Sequence, residues 1–138
     1  MSTVICLAQS YSTVDIPTAV IDQFSLSYPD AEHVHWTVQN NKYLASFKND
    51  KKNTYALLRK DGKLLETETE IKVMALPLEA TAYLEKKLDA EIESASIMEN
   101  EEGVITFKAF TDDDEYWFDG TGKIFTQQAD MANGPKLN

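Results

Sequence analysis

I-P-T-A-V-I-D-Q-F-S-L-S-Y-P-D-A-E-H-V-H-W, residues 16–36, decides how the rest of the chain is read. Ile16, Val20, Phe24 and Tyr28 recur every fourth residue, with Ile21 beside them, which lays one apolar stripe along a helix of about three turns. Asp15 stands ahead of it as a candidate cap, and Pro17 falls in the first turn, where its missing N–H is harmless. Pro29 disfavours helical geometry at Tyr28, and Pro29-Asp30 is turn chemistry, so the helix stops there. Val34, Trp36 and Val38 then alternate with His33, His35 and Thr37, which is the period of a strand. The local plan is a short helix leading into a strand.

Three more strands complete a first unit. Asn40-Asn41 makes a turn, after which Tyr43, Ala45 and Phe47 alternate with Leu44 and Ser46. A polar loop, Asn49 to Asn53, precedes a third strand from Thr54 to Arg59. Asp61-Gly62 is a hairpin signal, and Lys63 to about Val73 is the fourth strand.

The plan returns about sixty residues later. Leu76, Ala80, Leu84 and Leu88 lie at an offset of 60 from Ile16, Val20, Phe24 and Tyr28, and Pro77 matches Pro17. Asp89-Ala90 answers Asp30-Ala31 at 59, Phe107-Lys108 answers Phe47-Lys48 at 60, and Thr121-Gly122-Lys123-Ile124 answers Asp61-Gly62-Lys63-Leu64 at 60. Agreement of stripe, proline and terminal hairpin at one offset points to duplication of a supersecondary unit. Strands of the second copy are expected near Ile92 to Met98, Val104 to Phe110, Glu115 to Asp119 and Lys123 to Gln127. The expectation is an α+β fold of two tandem αββββ repeats, an antiparallel sheet with both helices on one face. Residues 1–14 form an N-terminal segment, 15–130 one domain of two repeats (15–75 and 76–130), and 131–138 a frayed tail with Gly134-Pro135.

Composition narrows the class of function. The 138 residues suit one domain, and 43% hydrophobic content is enough for a buried core. No apolar run approaches the roughly 20 residues that a membrane span needs. The net charge of −10 is concentrated, because residues 66–120 hold 16 acids against 4 bases while residues 1–65 hold 6 against 7. A field of that sign repels phosphate, so nucleic acid and anionic membrane surfaces are poor partners, and a basic protein or a divalent cation suits better. Cys6 is the single cysteine, so the chain has no internal disulfide. Val4-Ile5-Cys6-Leu7-Ala8 followed by Gln9-Ser10 has the apolar run and small-x-small ending of a secretory signal, without the basic start. It reads either as the remnant of a longer signal peptide or as a mobile or edge-strand N-terminus.

The order I-P-x-x-V-x-x-x-F-x-x-x-Y-P-D-A-x-x-V-x-W, then Tyr43 and Phe47 in a hairpin, then Asp61-Gly62-Lys63-Leu64, with Leu76-Pro77 restarting the pattern, resembles the PepSY-like proteins of bacterial envelopes. Their fold is similar to that of the β-lactamase inhibitor protein. The resemblance covers about residues 15–128, and its motifs are structural rather than catalytic. It implies a periplasmic or secreted address and a binding or inhibitory role toward another protein, such as a peptidase.

No constellation in the sequence marks a reaction or a cofactor. Neither His33 nor His35 has a sequence-marked nucleophile, and there is no phosphate-cradling glycine loop. The two histidines are two apart and would share a sheet face, but no third metal ligand is spaced with them. Asp112-Asp113-Asp114-Glu115, with Asp119 beyond, offers hard oxygen ligands for calcium without the spacing of an EF-hand. Aromatic residues are the stronger lead. Trp36, Tyr43, Tyr55, Tyr116 and Trp117 all fall on expected strands, and alternation sends the neighbours Tyr116 and Trp117 to opposite faces. An open sheet face bearing Trp and Tyr suits protein binding, since these side chains bury large area with little rotamer entropy to lose. The sequence thus reads as a noncatalytic module that binds a protein partner through an aromatic sheet face. The alternative is a calcium-responsive or small-ligand protein using the acidic stretch near Asp112.

Overall fold

The computed structural model describes residues 15–125. Within them the chain divides into two compact units that meet in sequence at Thr69 and Glu70. The architecture is α+β, with antiparallel strands and two short helices.

In the first unit, helix α1 (Thr18–Ser27) is followed by β1 (Glu32–Gln39), β2 (Lys42–Asn49), β3 (Lys52–Arg59) and β4 (Leu64–Ile71). Each strand pairs with the next, as in Trp36↔Ala45, Ala45↔Ala56 and Ala56↔Thr67. The apolar stripe does what its spacing implies. Val20 and Phe24 are buried on the sheet with Trp36, Ala45, Phe47, Ala56 and Leu58, and Ile16, Tyr28, Val34, Tyr43 and Leu64 pack around them. Phe24 stands edge-on to Trp36 and to Phe47, at 5.2 and 4.9 Å between ring centroids, the favoured geometry for aromatic pairs. The helix starts differently from the expectation for Asp15. Pro17 is itself the cap residue (φ −58°, ψ 146°), with no side-chain capping bond, and its carbonyl accepts from Val20 and Ile21. The polar loop expected at 49–53 is instead a tight turn, because Asp50 and Lys51 both adopt positive φ.

The second unit begins with a helical segment, α2 (Leu78–Ala82), that continues as a π-helical turn over Tyr83–Lys87, and its strands are β5 (Ser94–Asn100), β6 (Ile105–Phe110) and β7 (Glu115–Asp119). Of its fourth strand, the described residues show the bridge between Phe118 and Ile124 and a bond from the Phe125 N–H to the Trp117 carbonyl. Thr126 and Gln127, expected to extend it, lie outside the described residues, as do the proposed signal remnant and tail. Leu76, Ala80, Leu84, Ala95, Ala109 and Phe118 form the core, with Phe107, Tyr116 and Ile124 against it.

The repeat is visible in side chains as well as in element order. Core positions coincide at the offset of 60: Val20 with Ala80, Phe24 with Leu84, Ala56 with Tyr116, Leu58 with Phe118, and Leu64 with Ile124. Pro77 caps α2 at φ −57°, ψ 143°, nearly the values of Pro17. In each unit a cross-strand pair of alanines, Ala45↔Ala56 or Ala95↔Ala109, lies in the core and lowers the sheet surface beneath the helix.

The terminal hairpins match too. Gly62 (φ 96°) and Gly122 (φ 97°) occupy the same turn position, and each N–H donates three residues back, to the carbonyl of Arg59 or Asp119. Each turn presses on its own helix start: a Cβ at Gly62 would lie 2.7 Å from the Ala19 carbonyl oxygen, and one at Gly122 2.6 Å from Pro77 Cβ. A carboxylate ties each turn from a different position. Asp61 accepts from Arg59 and from the Lys63 N–H, which holds its carboxyl at about 2. Asp119 accepts from the Thr121 hydroxyl and the N–H groups of Thr121 and Lys123, and its carboxyl is likewise lowered.

Candidate functional site

Strand alternation assigns every aromatic candidate to a face. In the first unit, Trp36 and Tyr43 are on the helix-covered side: Trp36 is only 7% exposed and Tyr43 packs against the same core. Both therefore lie on the face opposite Tyr55, and a contact made through that other face would not include their side chains. Tyr55 is on the other side and 43% exposed. In register it stands in the row His35, Ser46, Tyr55, Glu68, next to the row Thr37, Leu44, Leu57, Glu66. This face is mostly polar, with one exposed aromatic.

In the second unit the neighbours Tyr116 and Trp117 do part. Tyr116 packs into the core, and burial, followed by the charge of Asp114 on which its hydroxyl makes a long 3.5 Å bond, raises its pKa. Trp117 belongs to the uncovered face, in the row Ser96, Lys108, Trp117, beside the row Ser94, Phe110, Glu115. Lys108 is the centre of the group. Its Nζ lies 4.8 Å from the Trp117 ring centroid, 5.5 Å from that of Phe110, and 3.5 Å from Glu115 Oε2. Only 12% of its side chain is exposed. A cation over an aromatic face is attractive by about 0.5–2 kcal/mol, more as water is excluded, so the contact favours this orientation of the indole. The signal for Lys108 and Phe110 was present in the alternation of β6.

The acidic candidates are not brought together. Asp112, Asp113 and Asp114 are exposed on the turn between β6 and β7, whereas Asp119 is at the far end of β7, its Oδ1 committed to the next turn. Asp112 pairs instead with Glu93, whose pKa is raised by that shared bond and by Asp112's charge. His33 and His35 are exposed, and a bulge with His33 at φ 55° interrupts their alternation. Among the described residues no group of three or more His, Cys, Asp or Glu side chains is arranged for a metal ion. A calcium titration is accordingly expected to leave the melting temperature unchanged; a rise with calcium would reinstate the acidic turn as a site, since a ligand of the folded state stabilises it.

No protein-family description matches the sequence, and no curated protein does. Solved structures do resemble it. A candidate periplasmic protein from Bacteroides eggerthii superposes with a TM-score of 0.68 at 14% identity, covering 80% of this chain and 86% of that one. A BLIP-like protein from Bacteroides fragilis, one like the β-lactamase inhibitor protein, gives 0.66 at 22% identity, covering 81% and 84%. A DUF2874 family protein from Bacteroides uniformis gives 0.67 at 14%, covering 80% and 87%. The fold is therefore BLIP-like. None of the three bears the PepSY name, and identities this low speak to fold alone. No helix among the described residues is long and apolar enough to cross a membrane.

Proposed function

We propose that the chain is a noncatalytic, PepSY-like binding module of the periplasm or cell exterior. It acts by inhibiting or regulating a protein partner, such as a peptidase, through the sheet face that the helices leave uncovered. Residues 15–130 serve as one domain of two repeats in this reading. The observation that carries it is the Trp117, Lys108, Phe110 and Glu115 group, in which a nearly buried cation braces two aromatic rings. Such rigid aromatic anchors lose little entropy on binding. The likeness to a candidate periplasmic protein and to a BLIP-like protein supports the address and the class. The excess of acid over residues 66–120 favours a basic partner surface.

Affinity capture from a bacterial envelope extract would supply the partner, and titration of variants against it would test the surface. Trp117→Ala is expected to weaken binding about 30-fold or more, the scale of a hot-spot residue, and Tyr55→Ala by less, with cooperative melting kept in both. Unchanged affinity in both variants would reject the uncovered face as the contact surface. Loss of the cooperative melt in Trp117→Ala would make that residue core.

A further inference from the structure

On the helix side of the first unit lies an apolar groove of about 680 Å³, lined chiefly by Ile21, Phe24, Tyr28, Ala31, Val34 and Trp36. It runs between α1 and the edge of β1. Strand β1 pairs with β2 on one side, and among the described residues no strand flanks its other side. The backbone groups presented at that edge follow from the turn. Asn40 and Asn41 have φ of 49° and 64°, the two positive values of a two-residue hairpin whose flanking pair, Gln39↔Lys42, is hydrogen bonded. Alternation then aims the N–H and C=O of Gln39, Thr37 and His35 at β2, and those of Val38 and Trp36 outward. The bulge before His35 limits this regular edge to His35–Gln39.

Val38 and Trp36 also send their side chains to the helix side, beside the groove. A strand laid along β1 would therefore bond to their backbone, and its directly opposed residues would enter the groove on that same side. Charge selects what such a strand carries. Asp15, Asp22 and Asp30 are exposed, and each is the chain neighbour of a groove residue: Ile16, Ile21 and Ala31. Glu32 faces Lys48 in register, and residues 15–41 contain no Lys or Arg.

We propose that this edge and groove bind an extended segment of a partner protein, with β-branched or aromatic residues at alternate positions and Lys or Arg at its ends, added as a further strand beside β1. The surface is on the opposite side of the first unit from the uncovered sheet face, so it stands or falls independently of the function proposed above.

The test is titration of the full chain with a short synthetic peptide that alternates isoleucine and threonine between terminal lysines. Binding is expected, with the Trp36 and Val38 amides gaining protection from hydrogen exchange. A backbone N-methylated peptide and a glutamate-ended peptide are each expected to bind about tenfold more weakly or worse. Val38→Pro should do the same, because Val38 is 51% exposed and proline there removes an outward donor while leaving the ladder to β2 intact. If that variant does not fold, the N-methylated peptide carries the comparison. No binding up to about 1 mM, or binding indifferent to N-methylation, overturns the proposal. So does self-association of the chain that Val38→Pro abolishes, which would assign the edge to a second copy. A spin label on Cys6 that broadens the Trp36 and Val38 amides would assign it to this chain's own N-terminal segment, and that too overturns it.

Discussion

Gly122→Ala is expected to destabilise the fold by roughly 2–5 kcal/mol, and Gly62→Ala by a similar amount, since each adds backbone strain to a steric conflict. Both glycines have φ near 97°, where an L residue is strained whatever the space around it. Both also lack room. A Cβ at Gly122 meets Pro77 Cβ at 2.6 Å and the Ala80 nitrogen at 3.2 Å, while one at Gly62 meets the Ala19 carbonyl oxygen at 2.7 Å and its carbon at 3.2 Å. These neighbours are the first turns of the two helices, so the backbone of a helix or a hairpin has to move. Gly103 separates the two causes. Its φ is 82°, but the nearest atom to a Cβ there is a Glu99 carboxylate oxygen at 4.0 Å. Gly103→Ala should therefore show strain alone, about 1–2 kcal/mol. Thermal melting of the three variants checks this, with the first two falling by on the order of 10 °C. Equal losses in all three would mean that the close approach of hairpin to helix contributes nothing.

The same pair of hairpins shows why so much of the architecture could be read in advance. Helix stripe, proline start and glycine turn are local devices, each set by a few neighbouring residues, and the second copy supplied an independent check on each. What resisted reading depended on context. Asp50-Lys51 makes a two-residue turn without glycine or asparagine, so its composition suggested a longer loop. Leu88 continues the stripe in sequence, yet the π-helical turn over Tyr83–Lys87 leaves it 40% exposed. Asp89 at φ 52° then closes the segment. The aromatic candidates divided for a related reason. Alternation fixes which residues share a face, but only packing decides which face the helix takes. Tyr116 and Trp117 were separable as neighbours; Trp36 and Tyr43, on different strands, were not assigned a side at all.

Trp36 is where that distinction has its largest energetic consequence. Trp36→Ala is expected to cost about 3–5 kcal/mol, the usual range for truncating a buried aromatic residue. The indole is 7% exposed and edge-on to Phe24, which in turn contacts Phe47 and Tyr28, so its removal strips packing from the core beneath α1 as well as widening the groove it lines. Trp36→Phe keeps an aromatic edge against Phe24 and should cost clearly less. The matched change on the face opposite the helix has the opposite profile: Trp117→Ala gives up a cation contact and a half-buried ring while the core of the second unit stays intact. Denaturant unfolding of the two alanine variants, compared at equal m-value, distinguishes a core indole from a surface one. Near-parental stability in Trp36→Ala would remove it from the core and return it to the set of partner contacts. The expected order, with Trp36→Ala much the less stable, places the Trp36 indole in a core and the Trp117 indole outside one.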